Sequence, residues 1–238
     1  MPHPRLADVK AFTFDVFGTC VDWRTSVKTA LGAFIQDEST QTKFADQWRQ
    51  GYIETMGRLA KTLTPDDTYP ALDTIHREIL DRLVVEYNLT LTSSEAEQLN
   101  LVWHRLAPWP DTPAGLARLN QHALTATLSN GSVRLLADLK RFGQLPFDVI
   151  LSAELFHAYK PSPRIYQGAA KMLELKPEEV CMVAAHGRDL EAAKAVGFKT
   201  AYVHRPGEGH SSPEAVGNES YVDVSVDSIE ALARLLDP

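Results

Sequence analysis

Four apolar runs in this 238-residue chain each hand over to a side chain capable of acid, base or nucleophilic work. Residues 9–14 run into Asp15 and, four positions on, Thr19. Residues 123–128 run into Ser129 and Asn130. Residues 147–151 lead through a short loop to Lys160, and residues 180–184 lead to His186 and Asp189. Taken singly, a polar residue after a strand is most often a turn former or a cap. Four convergent strand ends carrying a carboxylate, hydroxyls, an amine and a second carboxylate are much harder to read as turns alone, and point to acid, base or nucleophilic chemistry in one cleft.

Such convergence needs a sheet whose strands all end on one side. The apolar runs alternate with helix-patterned stretches at residues 132–142, closed by Gly143, at 163–173, and at 189–196, closed by Gly197. Asp111 or Thr112 caps another helix, with Pro113 in its first turn. Residues 200–203 and 221–224 read as further strands, and Asp227 with Glu230 caps a last helix. Repeated strand–helix units predict an α/β chain with a mostly parallel, Rossmann-like sheet and helices on both faces. Such folds bind ligands beyond the carboxyl ends of the strands.

Residues 22–106 break this rhythm. Their apolar positions recur at helical spacing over 26–35, 42–59, 72–87 and 94–106, the last with Glu97 completing a capping box. The chain therefore divides into a core of residues 1–20 and 107–238 and a helical domain of residues 21–106, set over the sheet edge as a lid.

A net charge of −7 argues against a nucleic-acid partner, which favours a basic face. No apolar run approaches the roughly 20 residues needed to span a bilayer, and the first residues carry no apolar leader segment. Two cysteines, Cys20 and Cys181, make no disulfide framework, which fits a reducing cytoplasm. Cys20, Trp48, Trp103 and Trp109 read as packing residues. His204, His210 and the P-G-E-G-H-S-S-P stretch lack a second set of spaced ligands and read as a solvated surface loop.

The segments F-D-V-F-G-T (14–19), L-S-N-G (128–131), Y-K-P (159–161) and the strand leading to Asp189 resemble, in that order, the haloacid dehalogenase-like hydrolases. The resemblance implies that superfamily's fold, with a helical cap inserted after the first motif, and Asp15 as nucleophile. Most of its members are magnesium-dependent phosphatases, which carry a second aspartate two residues after the nucleophile. Here that position is Phe17, and the metal-binding aspartate after the fourth strand is replaced by Ala185. An alkoxide leaving group needs acid assistance worth about 10² to 10⁴ in rate, whereas a halide leaves unprotonated. The expectation is metal-free chemistry with no cofactor, a magnesium-using phosphatase being the alternative.

Q-W-R-Q-G-Y (47–52) and Tyr166 further resemble the 2-haloacid dehalogenases. The resemblance implies a small 2-haloacid substrate and a possible homodimer. It assigns Arg49 and Asn130 to the departing halide, Thr19 and Ser129 to positioning, and Lys160 to the charge of Asp15. Asp189 holds Lys160 and orients water, and Tyr166 completes the set. His186 departs from the pattern, since the relatives have asparagine there. Either it bonds neighbouring loops as the asparagine would, or its imidazole is the base for the hydrolytic water.

Overall fold

The computed structural model describes residues 3–64, 66–208 and 219–237. Its centre is a six-stranded parallel sheet. The strands in chain order are β1 (Ala11–Phe14), β4 (Leu124–Ser129), β5 (Val149–Ser152), β6 (Val180–Ala184), β7 (Lys199–Val203) and β8 (Val224–Val226); across the sheet they run β5-β4-β1-β6-β7-β8. Every residue of β1 and β6 is buried. Strands covered on both faces lose the polar alternation, which explains the uniform apolar runs.

The order places β1 between β4 and β6, with Phe14 level with Thr127 and Val183. Asp15, Ser129 and His186 therefore leave the sheet at one edge. The helices α5 (Thr112–Leu119), α6 (Val133–Phe142), α7 (Pro163–Met172), α8 (Gly187–Ala195) and α9 (Ile229–Arg234) belong to this α/β part. Ser132 caps α6, accepting from Leu135 N at 3.1 Å, and the helix buries Leu135, Leu136 and Leu139.

Between the two-residue strands β2 (Val21–Asp22) and β3 (Ala107–Pro108), which pair antiparallel, lie α1 (Trp23–Leu31), α2 (Glu38–Thr62), α3 (Leu72–Glu86) and α4 (Ser93–Asn100). Phe44, Trp48, Tyr52 and Met56, four residues apart on α2, are buried, as are Ile75, Ile79 and Leu83 of α3. This spacing puts one apolar stripe on each helix, and the stripes form the interior of the segment.

Several boundaries differ from the sequence reading because capping side chains decide them. Asp37 accepts from Thr40 N at 2.7 Å and starts α2 earlier than expected. The capping box of α4 is Thr92 with Glu95, not Glu97, and the helix stops at Asn100 before a 3₁₀ turn, Leu101–His104. Ser228, not Asp227, caps the last helix. The last strand begins at Val224 instead of spanning 221–224. Asp223 is the cause: its carboxylate takes Thr200 N at 2.9 Å and Lys194 Nζ at 2.6 Å, so ladder pairing with β7 starts only beyond it.

The helical segment meets the sheet part along a seam at His104. Its Nδ1 lies 3.0 Å from Asp138 of α6 and its Nε2 3.0 Å from Asp73 of α3. Burial alone would lower this imidazole's pKa, but the two carboxylates raise it above the ordinary value.

Candidate active site

Asp15 extends the β1 ladder by one bond, its N–H donating to Val183 O at 3.0 Å. The residue is 8 % exposed and both side-chain oxygens are held. Lys160 Nζ reaches Oδ1 at 3.1 Å, while Thr19 Oγ1 and His186 Nδ1 each lie 2.9 Å from Oδ2. The Thr19 hydroxyl also accepts from Ala185 N at 2.9 Å, tying the turn after β1 to the end of β6. Burial pushes the Asp15 pKa up, yet the Lys160 charge and the His186 hydrogen bond outweigh it and hold the carboxyl well below its usual range.

Lys160 is pinned from three directions. Its ammonium bridges Asp15 and Asp189, and its backbone N–H donates to Asn130 Oδ1 at 2.8 Å. Tyr166, fully buried on α7, donates its hydroxyl to Asp189 Oδ1 at 2.6 Å. Burial would lower the Lys160 pKa, but the two carboxylates raise it, so the ammonium is kept. Asp189 is pushed up by burial, with Lys160 pulling against it. Ser129, also fully buried, accepts from Gly131 N at 3.2 Å and shapes the turn that presents Asn130.

Arg49 comes from α2, across the cleft. Its guanidinium lies 5.8 Å from the ring centre of Phe17, 5.4 Å from Trp23 and 4.9 Å from Tyr52. The role of Phe17 follows. It is 2 % exposed, edge-on to Tyr52 and Trp103, and packs the helical segment against the turn after Asp15. Thr19, Asn130, Lys160, Tyr166, His186 and Asp189 thus form one bonded cluster with Asp15, Ser129 shapes the turn beside it, and Arg49 stacks on Phe17 at its edge.

The loop expected to be solvated, at residues 206–213, is corrected at its start; His210 lies outside the described residues. Arg205 is 4 % exposed, donates from Nε to Thr19 O at 2.9 Å, and grips Asp111 with both terminal nitrogens at 2.6 and 3.0 Å. Glu208, 8 % exposed, accepts from the Trp23 indole N–H and from His186 Nε2 at 2.8 Å. Gly18 makes this possible. Its φ is +82°, and a Cβ there would stand 2.5 Å from the Glu208 carboxylate. Glu208 also follows a strand, β7, so the strand-end rule applied to the other residues could have found it; its glycine neighbours hid it. Tyr52 and Trp23 carry no such signal. The cleft of about 270 Å³ at the mouth is lined by Trp23, Arg49, Ile53, His186 and Glu208 among others.

His186 is doubly bridged. Burial lowers its pKa, but hydrogen bonds to Asp15 and Glu208, with their charges, raise it to about 9. Asp15, Asp189 and Glu208 thus face Lys160 and protonated His186, and Arg49 restores charge balance before a substrate anion arrives.

These residues do not fit a magnesium ion. Asp15 and Asp189, the two carboxylates that would bind it, are joined through the Lys160 ammonium, and position 185 offers a methyl group. Magnesium requires near-octahedral oxygen ligation, which an ammonium between the two carboxylates prevents.

Residues 9–197 match the sequence pattern of the haloacid dehalogenase-like hydrolase family. The chain is 30% identical over 201 residues to (S)-2-haloacid dehalogenase 1 of Pseudomonas sp. (strain CBS-3), an alignment covering 83% of this chain and 85% of that one. A crystal structure of an L-2-haloacid dehalogenase superposes with a TM-score of 0.84 at 39% identity, covering 95% of this chain and 98% of the other. The Xanthobacter autotrophicus L-2-haloacid dehalogenase with chloropropionic acid covalently bound superposes with a TM-score of 0.80 at 26% identity, covering 95% and 98%. With the strand-end motifs, the sheet order and these likenesses in agreement, the chain belongs to the haloacid dehalogenase-like hydrolases.

Proposed function

We propose that the chain hydrolyses short 2-haloalkanoic acids to 2-hydroxy acids through an ester on Asp15, without a metal ion. One observation carries the reading: a buried, ionised Asp15 held by Lys160, Thr19 and His186, with Phe17 in place of a second acid. Such a carboxylate suits a leaving group that departs without a proton.

An Asp15 oxygen attacks Cα from the side opposite the halogen. The new C–O bond forms as the C–halogen bond breaks, and the halide leaves with the bonding pair. Water then attacks the ester carbonyl carbon on Asp15, so the hydroxy acid departs with inverted configuration and unlabelled protein oxygen. Lys160 keeps Asp15 ionised and then offsets charge on the ester oxygen. Thr19 and the turn at Ser129 position nucleophile and substrate carboxylate. Arg49, swung over Phe17, receives the halide together with Asn130. Asp189, aligned by Tyr166, holds Lys160 and orients the water. Preorganised donors of this kind each contribute on the order of 3 kcal/mol to lowering the barrier.

Residues 21–106 serve as a cap domain closing over the core formed by residues 1–20 and 107–238. The two buried free cysteines suit a reducing cytoplasm.

Halide release from 2-chloropropionate, measured with and without chelator, tests the reading. Chelator should change nothing, and Asp15→Asn should lower turnover by on the order of 10⁴ or more. In heavy-oxygen water, a single turnover with excess enzyme should put the label into the Asp15 carboxylate. Label in the first product alone excludes the ester, and magnesium-dependent phosphate release from small esters would favour the phosphatase.

A further inference from the structure

Glu208 is the one carboxylate of the cluster that these steps leave without a task. Its surroundings are built, not incidental. The loop that carries it is clamped by Arg205 to Thr19 O and Asp111, one oxygen is occupied by the Trp23 indole, and Gly18 leaves room for the other, which faces His186 Nε2 at 2.8 Å. The opposite nitrogen of the same ring faces the nucleophile at 2.9 Å. Asp15, His186 and Glu208 thus form a line from the reacting carboxylate to a fixed, buried anion.

We propose that Glu208 is a positioning residue: by holding the proton on His186 Nε2 it makes ester formation on Asp15 the event that converts His186 from a cation into the base for ester hydrolysis. The proposal rests on the dehalogenase reading and deepens it.

The charges drive the switch. While Asp15 is ionised, both ring nitrogens donate to carboxylates, and the imidazole stays protonated to about pH 9. Alkylation removes one of those two anions. The ester oxygen is neutral and a weaker acceptor, so the Nδ1 proton is lost to solvent as the halide departs. That is the one proton released when R–X and water become R–OH and halide. Nε2–H stays, because Glu208 still accepts it, and the lone pair appears on Nδ1, facing the ester. A water lying between Nδ1 and the Asp15 carbonyl carbon gives Nδ1 a proton as its oxygen bonds to that carbon. The tetrahedral intermediate then breaks its bond to the alkyl oxygen, which takes the proton from Nδ1. The remaining acid proton on Asp15 passes to Nδ1 and restores the carboxylate–imidazolium pair. With the proton on Nδ1 instead, the ring would present a donor to the water and could not act.

The groups that face His186 limit what else could set its charge. From β1 comes Asp15, from the loop after β7 Glu208, and from α1 and α2, across the same cleft, Arg24, Asp46 and Arg49. Arg24 pairs with Asp46 at 2.6 Å and Arg49 stacks on Phe17, Trp23 and Tyr52, which leaves Glu208 as the anion bonded to the ring that survives alkylation.

Glu208→Gln in the full chain separates the two half-reactions. Halide from the first turnover, followed by stopped flow with excess 2-chloropropionate, should appear within about threefold of the wild-type rate. Steady-state turnover should fall about 100-fold, the worth of a general base, and the Asp15 peptide should carry the alkyl mass after acid quench. The acidic limb of ester hydrolysis should move to lower pH, since an uncharged amide no longer raises the imidazole pKa. Trp23→Phe, which frees one Glu208 oxygen, should shift the same balance less, by about threefold to tenfold. Unchanged steady-state turnover in Glu208→Gln overturns the proposal, as does equal loss of both halves, which would mark a purely structural role. A wild-type enzyme that forms no ester and releases no halide overturns the dehalogenase reading itself, an outcome visible before any Glu208 variant is made.

Discussion

His186 and His104 are each held between two carboxylates at nearly equal distances, 2.9 and 2.8 Å for the first, 3.0 and 3.0 Å for the second. Locally the two arrangements are almost the same. What differs is what the carboxylates are attached to. Asp15 is buried at a sheet edge and shares its other oxygen with a buried lysine, and its His186 partner lines a cleft with Arg49. Asp73 is 43% exposed, and Asp138 leans on Arg134, itself 81% exposed, along a surface seam between α3 and α6. An acid–imidazole–acid line is therefore not by itself a catalytic signature. At the seam a buried imidazole joins two parts of the fold through carboxylates that water screens; at the sheet edge the carboxylates are the buried groups, crowded by other charges, and the imidazole is 31% exposed toward a cleft.

The comparison can be broken at its strongest point first. Replacing Lys160 with Met strips the cation from both Asp15 and Asp189. Halide release should fall by about 10³ or more, and denaturant unfolding should show about 3–5 kcal/mol lost, the cost of stranding buried charges. A Lys160→Met enzyme of near-normal stability would mean that water already screens the cluster, erasing the contrast with the seam.

His186→Asn comes next. It should lower turnover by about 10², with ester accumulating on Asp15. Undiminished ester hydrolysis would reduce His186 to a bonding role like that of His104.

The smallest effect belongs to His104→Gln. Turnover should stay within about twofold, while stability falls by about 0.5–1 kcal/mol at pH 6, as for a partly exposed ion pair. Because the folded pKa is raised, the contribution of His104 is fully present below the unfolded value near ~6.5 and is lost as pH rises through the folded value. Wild-type and variant melting curves should therefore converge on the alkaline side. A gap that widened with pH would contradict the assigned charge.

Much of the site was readable from the chain because each residue sits where an apolar run stops. Asp15, Ser129, Lys160 and Asp189 were found that way, and parallel packing of those runs forces their ends together. Phe17 and Ala185 were legible as replaced acids only against the motifs of the family the chain resembles. Helix ends were less legible, since Thr92 and Ser228 compete with equally plausible neighbours until the backbone bends toward one of them. Glu208 follows a strand like the others but was passed over among its glycine neighbours, and its partners, 22 positions earlier at His186 and 185 at Trp23, exist only once the chain folds.

The order of residues alone therefore determined the α/β sheet, the helical insertion and which polar side chain follows each strand, because these depend on local periodicity. Folding decided the placement of Arg49 over Phe17, the charge of His186 and the burial of Glu208. Those depend on the field and the water left when distant segments pack, and a pKa or a hydrogen bond between such segments does not exist until they do.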